Sequence, residues 1–308
     1  MALERKQTTV TADDTGRIDL IVRTLTGRAR SDVRGMFAHG CVMLNGQPCD
    51  EAGTPAAAGD VVTVEHDPHR RYHAPPPQRG HSDLNIVFED EHLIVVDKGA
   101  NILTVPTDHR ERHTLVDVVQ QHIQRRRPRD RAGVVHRLDR GTSGLLVFGK
   151  NPRITNALKD QFRVRKAERE YVAIVKGNLP AEQGTFTSQL TTTASLQRRS
   201  VHDDESGGET AVTHYTVESQ LRGATLVRVR LETGRRNQIR VQFAEAGHPV
   251  LGDDRYEPDL AKHPAWKSRR LALHACLLGF THPITGRELR LESPWPDEIK
   301  RFSERPSR

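Results

Sequence analysis

One short stretch of the chain combines an acid, two arginines and a tight turn: His136-Arg137-Leu138-Asp139-Arg140-Gly141-Thr142-Ser143-Gly144, followed by the apolar run Leu145-Leu146-Val147-Phe148. Arg137 and Arg140 put cations on both sides of Asp139, and an opposite charge within a few ångströms favours the ionised carboxylate. The Gly/Thr/Ser turn leads straight into what reads as a buried strand, a rigid mount for a reacting group. A fixed, ionised carboxylate can serve as a nucleophile or as a general base. The plain alternative for an R-L-D-R string is an exposed, salt-bridged turn.

The surrounding elements must hold that acid in place. Residues 86–89 and 93–96 read as strands joined by a short acidic turn. Thr114 and Asp117 form a capping box that opens a helix, with Leu115, Val118, Val119, His122 and Ile123 on one stripe. His122 on that stripe reads as a packed histidine rather than a ligand. After Asp139 a strand runs to Gly149, and a helix from Pro152 buries Ile154, Leu158 and Phe162. Further strands are expected at 171–175, 212–217, 226–232, 271–279 and 288–291, with a helix over 237–246 that Gly247 stops. Strands dominate, so residues 83–308 are expected to form an α+β domain on a mixed, largely antiparallel sheet.

The N-terminal part has a different pattern. Residues 1–16 are polar and read as disordered. From Arg17 the spacing turns helical, with Ile18, Ile21, Val22 and Leu25 on one face and a break near Gly27. A second helix is expected after Ser31 as N-cap, burying Val33, Met36 and Phe37 and stopping at Gly40. Strands follow at 41–44 and 60–65, with Asn45-Gly46 as a hairpin turn. Residues 17–66 thus read as a small helix-plus-hairpin domain. Residues 67–82, with Pro75-Pro76-Pro77, have linker composition.

At 308 residues the chain can bury a sizeable core, and its formal net charge of +7 suits a polyanionic partner. The cations cluster: Arg125, Arg126, Arg127, Arg129 and Arg131 precede the Asp139 turn, and Arg28, Arg30 and Arg34 crowd the N-terminal domain. Cys41, Cys49 and Cys276 are an odd number with no C-x-x-C pair, which points to reduced thiols in a cytoplasmic protein. The 16 histidines give no zinc spacing with them, so no metal is expected. No apolar run is long enough for a membrane span and no signal-peptide pattern is present. No phosphate-binding G-x-x-x-x-G-K-[ST] loop occurs either. A monomer is expected.

The string around Asp139 closely resembles the catalytic-Asp motif of the RluA-type pseudouridine synthases, which isomerise uridine within RNA. Four more segments resemble the same family in the same order. They are Glu170-Tyr171-Val172-Ala173-Ile174-Val175-Lys176-Gly177 and Gly208-Glu209-Thr210-Ala211-Val212-Thr213-His214-Tyr215, the second carrying no assigned chemistry. Next comes Glu232-Thr233-Gly234-Arg235-Arg236-Asn237-Gln238-Ile239-Arg240-Val241, running on to Gly247-His248-Pro249-Val250-Leu251-Gly252-Asp253. Last is Leu271-Ala272-Leu273-His274-Ala275, followed by Phe280-Thr281-His282-Pro283, with His274 structural. The likeness spans residues 84–296.

The resemblance implies roles. Asp139 is the reacting carboxylate, Tyr171 stacks under the target base, and Arg240 pairs with Asp139 and holds it ionised. Arg137 fills the gap that the flipped base leaves. Asn237 and Gln242 depart from the family, which commonly has His at both positions; each keeps hydrogen-bonding capacity and loses titratability. Residues Arg17, Asp19, Ser31, Arg34, Val42 and Asn45-Gly46 resemble the small RNA-binding module named after ribosomal small-subunit protein four, which implies that Arg28, Arg30 and Arg34 contact RNA phosphates. The isomerisation breaks the N-glycosidic bond, turns the uracil and rejoins it through carbon 5. It consumes no redox equivalent or energy source, so no cofactor is implied. The expected substrate is large-subunit ribosomal RNA. The alternatives are a synthase acting on tRNA or another RNA, and a non-catalytic RNA-binding ribosome-assembly factor.

Overall fold

The computed structural model describes the chain apart from residues 1–2, 50–51, 70–71, 73–83, 108–113, 194–197, 202–206, 269 and 305–308. It divides into two compact units, Met1–His81 and Ser82–Arg308.

The first unit runs β1 (Glu4–Thr9), β2 (Gly16–Arg17), α1 (Ile18–Thr26), α2 (Arg30–Ala38), β3 (Val42–Leu44), β4 (Gln47–Pro48), β5 (Pro55–Ala56) and β6 (Val61–His66). Ile18 and Val22 of α1 pack with Val33, Met36 and Phe37 of α2 and with Val42, Val62 and Val64 of the sheet. Gly27 closes α1 in the left-handed conformation, the usual role of glycine after a helix. Asn45 and Gly46 both have positive φ, as a twist-matched two-residue hairpin requires.

Three expectations for this unit need correction. Residues 1–16 are not disordered throughout: β1 pairs antiparallel with β6 from Glu4↔His66 to Thr9↔Val61. It is an edge strand, where backbone pairing supplies the order and polar side chains are tolerated, so its composition resembled disorder. Second, α2 starts at Arg30 with Ala29 as N-cap, and Ser31 lies inside the helix. Third, most of the expected linker lies outside the described residues, but its start folds onto the unit. Tyr72 is buried in the core, and its hydroxyl accepts a hydrogen bond from the Asp67 N–H at 2.6 Å.

The second unit runs β7 (Ile86–Glu89), β8 (Leu93–Lys98), α3 (Leu115–Arg126), β9 (Gly133–Val134), β10 (Ser143–Gly149), α4 (Pro152–Arg163), β11 (Glu168–Lys176), β12 (Gln183–Thr192), β13 (Arg198–Ser200), β14 (Glu209–Leu221), β15 (Ala224–Leu231), α5 (Gln238–Glu245), β16 (Leu273–Thr281), β17 (Glu288–Glu292) and α6 (Asp297–Ser303). Its sheet has the order β13-β12-β14-β15-β11-β16-β10-β8-β7, with β17 on β16 and β9 on β10. Among the described pairs only β10–β16 is parallel, Ser143 facing His274. The architecture is α+β on a largely antiparallel sheet.

Helices on both faces explain why β10 is apolar without alternation. Leu146 and Phe148 join α3 residues Leu115, Val119 and Ile123 in one core cluster, while Leu145 and Val147 join α4 residues Ile154 and Leu158 in another. The Thr114–Asp117 capping box forms as expected. Strand β12 was not anticipated, because its mostly polar residues, only one of them fully buried, carry a weak apolar signal.

Candidate active site

The loop between β9 and β10 carries Asp139, and its neighbours fasten it from several sides. The Thr104 hydroxyl donates to the Leu138 carbonyl at 2.8 Å and accepts from the Leu138 N–H at 3.2 Å. Lys98, at the end of β8 and only 1% exposed, donates to the carbonyls of Gly99 (3.0 Å), Ile102 (2.9 Å) and Arg140 (3.3 Å). Burial pulls the Lys98 ammonium down to about 7, opposed first by the charge of Asp139. At the end of the loop Gly144 has φ +115°, and a Cβ there would meet the Ala275 carbonyl oxygen at 2.2 Å. The parallel contact between β10 and β16 therefore requires glycine.

A cavity of about 470 Å³ opens over Asp139, lined by His136, Phe162, Arg169, Tyr171, Leu231, Asn237, Arg240 and Leu273. Exposed arginines Arg137, Arg163, Arg165, Arg235 and Arg236 also line it. Tyr171 projects from β11 and is 6% exposed; burial pushes its phenol up to about 12, so it stays neutral. His136 stacks on Phe162 with ring centroids 4.5 Å apart and is pulled down to about 3 by burial, so it too is neutral. The cavity thus joins a carboxylate, an aromatic wall and a cationic rim. Such a set suits a flat, neutral base attached to a polyanionic backbone.

The pairing expected between Arg240 and Asp139 does not form as a hydrogen-bonded contact. Arg240 instead makes a bidentate pair with Asp253, Nε and Nη2 each 2.7 Å from a carboxylate oxygen. Its guanidinium also lies 5.3 Å from the Tyr256 ring centre. The segment after α5 brings Asp253 alongside Arg240, where the planar fork of the arginine is matched by both oxygens. Arg240 still acts on Asp139 through space.

Asn237 makes the direct contact. It stands before α5 with φ 57°, a left-handed position that Asn and His tolerate better than most residues. An ionised carboxylate only accepts, so the amide atom facing Asp139 is the nitrogen, and the Tyr256 hydroxyl, which accepts from the Arg198 N–H at 3.2 Å, donates to the Asn237 carbonyl at 3.0 Å. The amide nitrogen then donates to both oxygens of Asp139, at 2.9 and 3.0 Å. The Asn237 backbone N–H supports the same carboxylate. Even so, the Asp139 carboxyl lies above its ordinary range, because burial outweighs Arg240, Arg137 and Lys98. The flanking cations therefore do not suffice to keep it as acidic as the sequence led us to expect.

Residues 92–245 match the family model described as RNA pseudouridylate synthase. A protein of Zymomonas mobilis named ribosomal large subunit pseudouridine synthase D is 33% identical over 311 residues, covering 96% of this chain and 95% of its own length. The chain belongs to the RNA pseudouridylate synthase family. It is an RNA pseudouridine synthase, an enzyme that isomerises uridine in RNA. A protein of Bacillus subtilis named uncharacterized RNA pseudouridine synthase YhcT is 37% identical over 224 residues, 71% of either chain. In fold, the human RNA pseudouridylate synthase domain containing 4 superimposes with a TM-score of 0.58 at 22% identity, covering 70% of this chain and 90% of that one.

Elsewhere in the synthase, the other position where the resemblance implied His is part of the scaffold. Gln242 donates to the Ser188 hydroxyl at 2.9 Å and the Ala211 carbonyl at 3.1 Å, tying α5 to β12 and β14. His274 accepts from Ser143 at 2.8 Å and faces Ser293 at 3.1 Å; burial pulls it down to about 4, so it is a neutral brace. His122 is partly exposed and pairs with Glu89 at 2.9 Å rather than packing in the core. In the first unit Arg30 and Arg34 are exposed on α2. Arg28 is engaged instead: it pairs with Asp32 at 2.6 Å and donates to the Pro68 carbonyl at 2.6 Å. Lys98, Thr104 and Arg169 escaped the sequence reading. Only Lys98 left a trace there, as a lone cation closing the apolar run 93–96.

Proposed function

We propose that this synthase converts uridine to pseudouridine in large-subunit ribosomal RNA, in the cytoplasm and as a monomer, with Asp139 as the reacting carboxylate. The observation that carries the reading is the contact between Asn237 and both Asp139 oxygens at the floor of an arginine-rimmed cavity. The substrate is supported by relatives named ribosomal large subunit pseudouridine synthase D that align along nearly the whole chain, the first unit included.

The target base leaves its stack to reach Asp139, and Arg137, exposed beside the cavity, occupies the vacated place. With the N-glycosidic bond broken, the uracil is confined against the neutral Tyr171 ring while it turns. The new bond joins carbon 5 to the sugar, carbon 5 gives up its proton, and the freed ring nitrogen gains one. Arg30 and Arg34 of the first unit contact RNA phosphates. Arg28, already held by Asp32 and two backbone carbonyls, orders the segment at Tyr72 instead.

Asp139→Asn tests this reading. It keeps the shape of the side chain and removes the charge that attack or proton removal needs. Single-turnover tritium release from carbon 5 of labelled RNA should fall to background, while filter binding of the same RNA persists. Wild-type release from the folded variant would remove Asp139 from the chemistry. Mapping pseudouridines in RNA from cells lacking the protein separates a ribosomal target from tRNA.

A further inference from the structure

We propose that Arg169 is a phosphate seat: its guanidinium takes a backbone phosphate of the RNA strand whose uridine reaches Asp139. The inference rests on the catalytic reading above and adds the residue that holds the strand.

Arg169 lies on β11 two residues before Tyr171, so both side chains leave the same face of the strand and line the same cavity. It is only 8% exposed. Two other well-buried arginines of this unit carry a carboxylate partner, Arg198 with Glu209 and Arg240 with Asp253. Among the described residues Arg169 has no carboxylate partner, and its Nε has no hydrogen-bond acceptor at all. It makes one long bond, Nη2 to the Glu232 carbonyl at 3.4 Å, and its Cζ lies 5.6 Å from the Phe162 ring centre. The Glu232 carboxylate is turned to Arg165 and His214. A cation–π contact and one long bond offset only part of the cost of burying a guanidinium.

The surroundings leave room for the missing anion. Gly234 is exposed and its φ is not in the left-handed region, so its backbone does not demand glycine. A Cβ there would stand 2.3 Å from Arg169 Nη1, so the absent side chain keeps the guanidinium open to the rim of the cavity. Uracil is neutral and needs no full positive charge. The anion that an RNA strand brings is its phosphodiester, which the planar fork of arginine matches with two parallel hydrogen bonds.

The test uses the full-length protein and a synthetic stem-loop carrying the uridine that the mapping experiment identifies, with natural linkages or with uncharged methylphosphonates flanking that uridine. Arg169→Gln should weaken filter binding of the natural RNA by about ten- to a hundredfold, the worth of a hydrogen bond to a charged group, with Arg169→Lys recovering part. The slope of log affinity against log salt should flatten by about one phosphate. The methylphosphonates should cost the wild type a similar factor and cost Arg169→Gln little more. If the neutral linkages penalise variant and wild type equally, the seat is refuted and any loss in the variant belongs to base or sugar contacts. Unchanged binding in Arg169→Gln, or a lower Tm with weakening that ignores the linkage, also overturns it. Tritium release by the wild type on the natural RNA reports separately on the catalytic reading, since the binding comparison stands without turnover.

Discussion

Asn237→Gly isolates the contact on which Asp139 depends. Glycine accepts φ 57° without strain, so the variant loses both amide bonds at 2.9 and 3.0 Å while the backbone N–H stays. A hydrogen bond to a charged group is worth about 1.5–3 kcal/mol. Water entering from the cavity replaces part of the pair, which leaves a net loss of about one such bond. At about 1.4 kcal/mol per unit, the Asp139 carboxyl should rise by about one to two pH units. It already lies above its ordinary range through burial, so the shift adds to an existing one. In the proposed reaction only the ionised form of Asp139 acts, so the acid limb of the single-turnover rate should move to higher pH by the same one to two units. Asn237→Asp should move it further, because two carboxylates at hydrogen-bond distance cannot both ionise freely. Tritium release measured across the acid limb, with Tm as the folding control, checks this. An acid limb in folded Asn237→Gly that coincides with the wild type would refute the assignment.

Asp139→Asn should also raise Tm at neutral pH. A carboxyl whose folded pKa is raised destabilises the fold when ionised, and that cost vanishes as pH falls through the raised value; the Tm gain should therefore shrink in acid, and a variant less stable than wild type at neutral pH would count against it. Arg240→Met leaves Asp253, whose side chain is fully buried, without its partner. A loss of about 3–5 kcal/mol is expected in denaturant unfolding, much of it recovered by adding Asp253→Asn, which removes the buried charge and still accepts from the Arg255 and Tyr256 N–H groups. Deleting residues 1–81 should weaken RNA binding and flatten its salt dependence while saturating RNA is still converted; loss of turnover at saturation in a folded second unit would contradict that. Arg137→Ala should slow conversion of a structured RNA more than of a loose strand, because unstacking costs a few kcal/mol only where a stack exists.

Local chemistry was legible in the residues. The Thr114–Asp117 cap, the Asn45-Gly46 hairpin, the glycine stop after α1 and the buried run of β10 all follow from backbone preferences and side-chain period, which act over a few neighbours. The nine-residue string around Asp139 also marked the acid that lines the cavity. Polar strands were harder: β1, at a sheet edge, and β12, between β13 and β14, are ordered by backbone bonds to distant partners, and their polar side chains leave little trace.

What tertiary structure alone decided is which charge meets which. Arg240 has three acids to choose from, Asp139 by resemblance and Asp253 and Asp254 farther along the chain, and its two short bonds go to Asp253. Only the packing of the segment after α5 selects Asp253, which hands Asp139 to Asn237. The same holds for burial. Two flanking arginines suggested an acid held low, yet the loop sinks Asp139 deep enough for desolvation to win. Arg169 in a strand reads as an ordinary surface cation; that it is buried without a carboxylate emerges only when β11, α4 and the turn at Gly234 close around it. Electrostatic outcome depends on distance and dielectric in three dimensions, and neither is written in residue spacing.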